Sequence, residues 1–276
     1  MKKNLLLIIF FLVLFQQTLF AQNFTQKKER LVIESPQALL KSGEYLRYSA
    51  EWLGIPAGIV TLRVSGIEKF KGRDCYHIIG RAVPNKFFAS FYDVEYIVHS
   101  YIDVESKQPS RFQKIRRRKD AINDTTIDFD WGKNKATFTS KGSDVGLEIS
   151  NLRDKINKDI PISDNITKDT QDLLSSIYFF RLLKIEGDHA YSFNIYYAQR
   201  VWPILVNVGA PYLRDFRKLG TFRVFKVSVG SIITDFILGK HNFGIYFTAD
   251  FLRIPLEFEV GTAIGYIRCR LQKLPE

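Results

Sequence analysis

Arg181 is the residue whose type and setting most directly suggest chemistry. It lies in the stretch TQDLLSSIYFFRLLK, residues 170–184. At about 100° per residue its direction falls between those of Leu174, Ile177 and Tyr178, on the most apolar side of a helix. A guanidinium there needs an acidic partner or an opening to an anionic ligand. In the ligand reading it meets an anionic headgroup while Tyr178, Phe180 and Trp52 of an early strand hold an apolar tail. In the pairing reading its partner is Asp250, Glu257 or Asp128, and pairing is the general rule for buried charge.

Other chemistry finds little support. His77, His99, His189 and His241 stand on different segments without metal-ligand spacing, so they read as structural or surface residues. There is no GxSxG, no phosphate-cradling glycine loop and no dinucleotide fingerprint. Carboxylates are numerous, but a catalytic pair is defined by distance in space. No catalytic residue, metal or cofactor is therefore assigned. Cys75 and Cys269, the two cysteines of the chain, lie in strand-like stretches. They are candidates for one disulfide joining early and late strands, with two buried thiols as the alternative.

These residues must be positioned by one helix and many strands. In the helix predicted over 170–184, Asp169 or Thr170 can cap the start, Lys184 suits the end and Gly187 stops it. Its side chains are apolar nearly all round, so it should be buried all round. Before it, Leu46, Tyr48, Ala50 and Trp52 alternate with polar residues, and after Gly54, Pro56 and Gly58 the alternation resumes at Val60, Leu62 and Val64. Residues 44–64 thus read as a β-hairpin. Further strands are predicted over 74–82, 94–102, 110–118, 125–131 and 136–140. Residues 151–168 read as a long loop. After the helix come strands over 191–197, 201–208 (with Pro203 marking an edge or bulge), 222–229, 243–247, 254–260 and 263–271. The fold class is mainly β: a single domain over 38–276, with a curved antiparallel sheet or partly closed barrel packed around one central helix. The 14% aromatic content supports a packed interior.

Residues 1–21 carry Lys2 and Lys3, an apolar run over 5–15 and a small residue at Ala21, the pattern of a secretory signal peptide, with a polar leader over 22–37. No second stretch is long enough to span a membrane as a helix, so the expected location is the periplasm or another exported site. Loss of the signal removes two of 40 basic residues against 29 acidic ones, leaving a formal +9. Arg111, Lys114, Arg116, Arg117, Arg118 and Lys119 form a basic run, but Asp124, Asp128 and Asp130 follow on the next strand. Cross-strand pairing would neutralise much of the run, which argues against nucleic acid as a partner.

Three stretches, GEYLRYSAEWLGIPAGIVTLRV at 43–64, DLLSSIYFFRLL at 172–183 and ADFLRIPLEFEV at 249–260, occur in an order that resembles the domain of unknown function family 3108, a group of bacterial exported proteins. The resemblance covers roughly residues 38–272 and implies an exported, mostly β domain with no catalytic residue to carry over. The chain is also similar to curved-sheet lipoprotein carriers, in which a sheet wraps helices around an apolar cavity, but it has one such helix. The expectation is an exported, non-catalytic binding protein that carries or senses a lipid or another anionic amphipathic envelope component. The alternative is a structural or assembly factor that binds another envelope protein. An outer-membrane barrel is opposed by the buried helix and by an end at Leu274, Pro275 and Glu276 rather than on an aromatic residue.

Overall fold

The structure is a computed structural model that describes residues 40–91, 93–119, 121–142, 162–230, 243–261 and 265–275. The signal peptide, the polar leader over 22–37, His241 and most of the predicted 151–168 loop lie outside the described residues.

The period-two segments become the strands of one sheet. The first half is a meander: β1 Tyr45–Trp52, β2 Ile55–Phe70, β3 Arg73–Pro84, β4 Val94–Asp103, β5 Pro109–Arg118, β6 Ala121–Asp130 and β7 Lys135–Lys141. The second half holds β8 Thr170–Gln171, β9 His189–Tyr197, β10 Arg200–Val208, β11 Tyr212–Asp215, β12 Thr221–Gly230, β13 Phe243–Thr248, β14 Pro255–Gly261 and β15 Tyr266–Leu271. In space the order is β7-β6-β5-β4-β3-β2-β1-β15-β14-β13-β12-β10-β9-β8, with β11 beside β12. The first and last strands are therefore neighbours, Tyr48 opposite Leu271 and Ala50 opposite Cys269, and they join the two halves. All pairings are antiparallel except β8 with β9.

The ladder does not close into a barrel. One bridge, Lys135 to Asn165, ties the β7 edge to the segment that leads into β8. That segment also reaches the other half, since the Ser163 N–H donates to the Gln199 carbonyl. Pro203 sits opposite Asn194 of β9, on a part of β10 that lies outside its register with β12, so the missing N–H falls where no ladder bond is needed.

The helix is shorter than its apolar pattern predicts. It runs Ser175–Leu182, and Thr170 and Gln171 are strand residues beside Asn194 and Ile195. Most of the helix is buried, whereas Ser176 and Ile177 are half-buried, and it divides the interior. Tyr178 and Leu182 pack into a cluster with Leu46, Tyr48, Ile78 and Leu256, while Phe179 and Phe180 join Phe193, Trp202, Ile245 and Phe247. A second helix, Lys86–Ala89, and a 3-10 turn, Arg217–Leu219, are short elements that periodicity does not reveal.

Candidate functional site

Asp172 fixes the start of the helix. Its Oδ1 accepts from the backbone N–H groups of Leu174 and Ser175 at 2.7 Å each, while the Ser175 hydroxyl accepts from the Asp172 N–H at 2.8 Å. These reciprocal bonds satisfy donors that the first turn leaves without helical partners. The Ser100 hydroxyl of β4 donates to Oδ2 at 2.7 Å, pinning the helix to the sheet. Burial pushes the Asp172 carboxyl up to about 6, against the lowering effect of these hydrogen bonds. Gly80 of β3 makes room for Val98 of β4 beneath the start of the helix: a Cβ there would stand 2.6 Å from Val98 Cγ2, with Leu174 Cδ2 in ordinary contact at 3.8 Å.

Arg181 is sealed in the interior. Its two terminal nitrogens donate to the Glu44 carboxylate at 2.7 and 2.8 Å, and Nε donates to the Leu252 carbonyl at 3.2 Å. The guanidinium also lies 5.3 Å from the centre of the Tyr178 ring, and the side chains of the ion pair are 1% and 5% exposed. Burial alone would lower its pKa, but the hydrogen bonds and charge of Glu44 outweigh that and raise it.

The pairing expectation therefore holds in kind but not in partner. Asp250 accepts the Thr248 hydroxyl and the N–H groups of Leu252 and Arg253 within its own bend. Glu257 accepts from Arg214 at 2.8 Å and Arg270 at 2.9 Å. Asp128 is taken by a two-bond pair with Arg111 and by Lys71. Glu44 carried a signal that the alternation reading passed over: it is in phase with Leu46, Tyr48 and Ala50, so its carboxylate points at the same interior.

Of the four candidate ligand residues, only Phe180 faces a sizeable space. An apolar, partly open cavity of about 250 Å³ lies between the helix and strands β9, β10, β12, β13 and β14. Ile177 and Phe180 form its helix wall; Phe193, Val206, Phe243 and Phe247 are among the sheet residues opposite. Ser176 is the polar residue in the lining, and its hydroxyl already donates to the Leu173 carbonyl at 2.9 Å. Trp52 lines a separate recess of about 40 Å³ with Phe88, Pro84 and Ile267. Ile267 of this recess pairs across the ladder with Val260, which lines the larger space. Tyr178 belongs to the ion-pair side of the helix. The structure thus separates the apolar cavity from the buried cation that was expected to share it.

Two histidines thought to be independent are brought together on the opposite face of the sheet. His77 bonds the Glu68 carboxylate through Nδ1 and His99 Nδ1 through Nε2, each at 2.9 Å, and stacks on Tyr101 with 4.3 Å between ring centres. Burial, and then the neighbouring His77, lower the His99 pKa. Among the described residues no group of three His, Cys, Asp or Glu side chains could hold a metal ion. The candidate disulfide is corrected: Cys75 and Cys269 are free thiols, on β3 and β15 with β2 and β1 between them. With strands about 4.8 Å apart, the separation exceeds the Cα span of a disulfide. Burial pushes the Cys269 thiol up to about 12, far from a reactive thiolate.

The basic run is partly neutralised. Arg111 pairs with Asp128 across the ladder, Arg117 reaches Glu95 on the other side, Asp124 accepts from Gln113, and Asp130 turns to Lys133.

The model of a family described as "Protein of unknown function (DUF3108)" matches residues 47–272. No curated protein matches the chain. Among solved structures it is similar to the crystal structure of a beta-barrel-like protein of domain of unknown function DUF1849 from Brucella abortus, at 11% identity, with a TM-score of 0.52 and coverage of 86% of this chain and 98% of that one. At that identity the likeness concerns the fold alone.

Proposed function

We propose that this chain, which belongs to the DUF3108 family of proteins of unknown function, is an exported, non-catalytic binding protein for a lipid or other amphipathic envelope component. The apolar part of the ligand enters the cavity between the Ser175–Leu182 helix and the second half of the sheet, which wraps that helix.

The cavity carries this reading. Apolar cavities stay dry and take apolar guests, because water inside finds no hydrogen-bond partners. An engineered apolar cavity of about 150 Å³ takes benzene, and this one, at about 250 Å³, has room for a medium-length alkyl segment. With the Ser176 hydroxyl satisfied by its own helix, the lining discriminates by shape and apolarity. A polar headgroup would remain at the mouth. The buried Arg181 has a structural role in this account, so specificity for an anionic headgroup would come from basic residues on the surface. An assembly factor would be marked by an apolar surface patch without a pocket, whereas here the pocket is present.

Titration with 1-N-phenylnaphthylamine in detergent-free buffer tests the reading. The expected result is saturable fluorescence enhancement that Ile177→Trp abolishes while the thermal midpoint is kept. Absence of saturable uptake, or uptake unchanged in Ile177→Trp, would overturn it.

A further inference from the structure

One end of the sheet carries apolar side chains that neither the core nor the cavity uses. Leu53 and Ile55 at the β1–β2 turn are 52% and 50% exposed, and Phe87 and Phe91 in the β3–β4 connection are 61% and 59% exposed. The two connections are tied together: the Asn85 N–H donates to the Ala57 carbonyl at 2.9 Å, and its side-chain amide donates to the Pro56 carbonyl. The rings of Phe87 and Phe91 meet edge to face with centres 5.5 Å apart. The result is an apolar knob at the tips of two neighbouring loops.

Leu53 is an independent clue. Trp52 pairs with Ile55, so Leu53 and Gly54 form a two-residue turn, with φ of 52° and 81°. Such turns favour Asn-Gly, because both positions are left-handed. A bulky leucine there is strained in its backbone and, though its side chain lies against Gly265 on one side, stays about half exposed; strain of this kind points to a use.

The surroundings indicate what covers the knob. Lys86, Arg118 and Lys119 present exposed charge nearby, Lys86 beside Phe87 in sequence and Arg118 opposite Val94, where the β3–β4 connection enters its strand. On the acidic side are the exposed Asp93 and the half-buried Glu95, which is already held by Arg81 and Arg117. Lysine is depleted at protein–protein interfaces, whereas aromatic and aliphatic side chains flanked by lysine and arginine suit an anionic lipid surface. The knob is also continuous with the interior. Phe88, beside Phe87, lines the recess with Trp52 and Ile267, and Ile267 pairs with Val260 of the larger cavity.

We infer that this end of the sheet docks on a bilayer bearing anionic headgroups, with Leu53, Ile55, Phe87 and Phe91 entering the interface and Lys86, Arg118 and Lys119 meeting the headgroups. The purpose of the docking, to pass an apolar chain between bilayer and cavity, rests on the binding function proposed above.

Flotation with vesicles of phosphatidylethanolamine and phosphatidylglycerol, and with phosphatidylcholine alone, tests it on the chain purified as its own cell processes it. The anionic vesicles should carry the protein, the neutral ones less. Phe87→Ser with Phe91→Ser should lower the partition by about tenfold or more, as expected for withdrawing two aromatic side chains from an apolar phase. Lys86→Glu with Lys119→Glu should weaken binding to the anionic vesicles selectively, and both variants should keep the wild-type thermal midpoint. Equal flotation of wild type and the phenylalanine variant would overturn the proposal. So would failure of the wild type to float, or a dimer in solution that the phenylalanine variant dissociates. Uptake of 1-N-phenylnaphthylamine without vesicles separates the claims: uptake without flotation sinks only the docking, and flotation without uptake sinks only the cavity.

Discussion

Glu44 and Arg181 bury opposite charges that neutralise one another, and that mutual dependence sets what their replacement should do. Arg181→Met leaves the Glu44 carboxylate in the interior without its cation, and removing one partner of a buried pair costs about 3–5 kcal/mol. Glu44→Gln strands the guanidinium and should cost a similar amount, whereas the double variant Glu44→Gln, Arg181→Met should cost clearly less than the sum. Urea unfolding of the four proteins measures this, and additive losses would show that the pair does not act as a unit. Asp172 gives a pH signature. Burial raises its pKa from the ordinary 3.8 to about 6, so the folded state holds the proton more tightly than the unfolded chain. Its contribution to stability is therefore complete below about pH 4 and is lost as pH climbs through 6, by roughly 3 kcal/mol at most. Asp172→Asn keeps an oxygen to accept from Leu174 and Ser175, and should flatten that part of the stability curve without weakening the fold at pH 7. A slope between pH 4 and 6 unchanged in this variant would refute the assignment.

The helix and the strands that receive it depend on close approach as much as on apolar pattern. At Gly80 a side chain would press on Val98 and toward Leu174. Gly80→Val should therefore force Val98 aside and cost about 1–3 kcal/mol, as overpacking does. A thermal melt checks the loss, and a melt equal to wild type would mean the β3–β4 contact is looser than described. The strands were legible because alternation and turn residues are local: each predicted strand has a counterpart, and Pro203 falls on a stretch of β10 outside the β12 register. The ends of the helix were not legible. Thr170 and Gln171 continue its sequence pattern, but parallel pairing with β9 takes their backbone, and that partner lies about 24 residues further on. The Glu44 partner of Arg181 is 137 residues away and depends on how the two halves of the sheet meet. The same holds for His77 and His99, whose contact follows from the β3–β4 register. The ligand reading sets Tyr178 and Arg181 with Phe180 around one apolar space, whereas the structure bears out the pairing reading for Arg181, because periodicity places residues around an axis without saying which space each faces.

At the scale of the molecule, pairing of β1 with β15 makes one continuous sheet from two meanders, and the interior is shared between a sealed, charge-paired side and an apolar side with room in it. Among the described residues no helix is long and apolar enough to cross a membrane. The knob formed by Leu53, Ile55, Phe87 and Phe91 gives this sheet one end suited to an apolar phase. The central claim is that the cavity is occupied in the cell. Native mass spectrometry of the protein purified without detergent from its own envelope fraction, beside Ile177→Trp, measures that directly. The account predicts a wild-type protein carrying the mass of an alkyl-chained molecule, released on denaturation and missing from the variant. Wild type that flies at its bare mass from that fraction, or a ligand held equally by the variant, would contradict it.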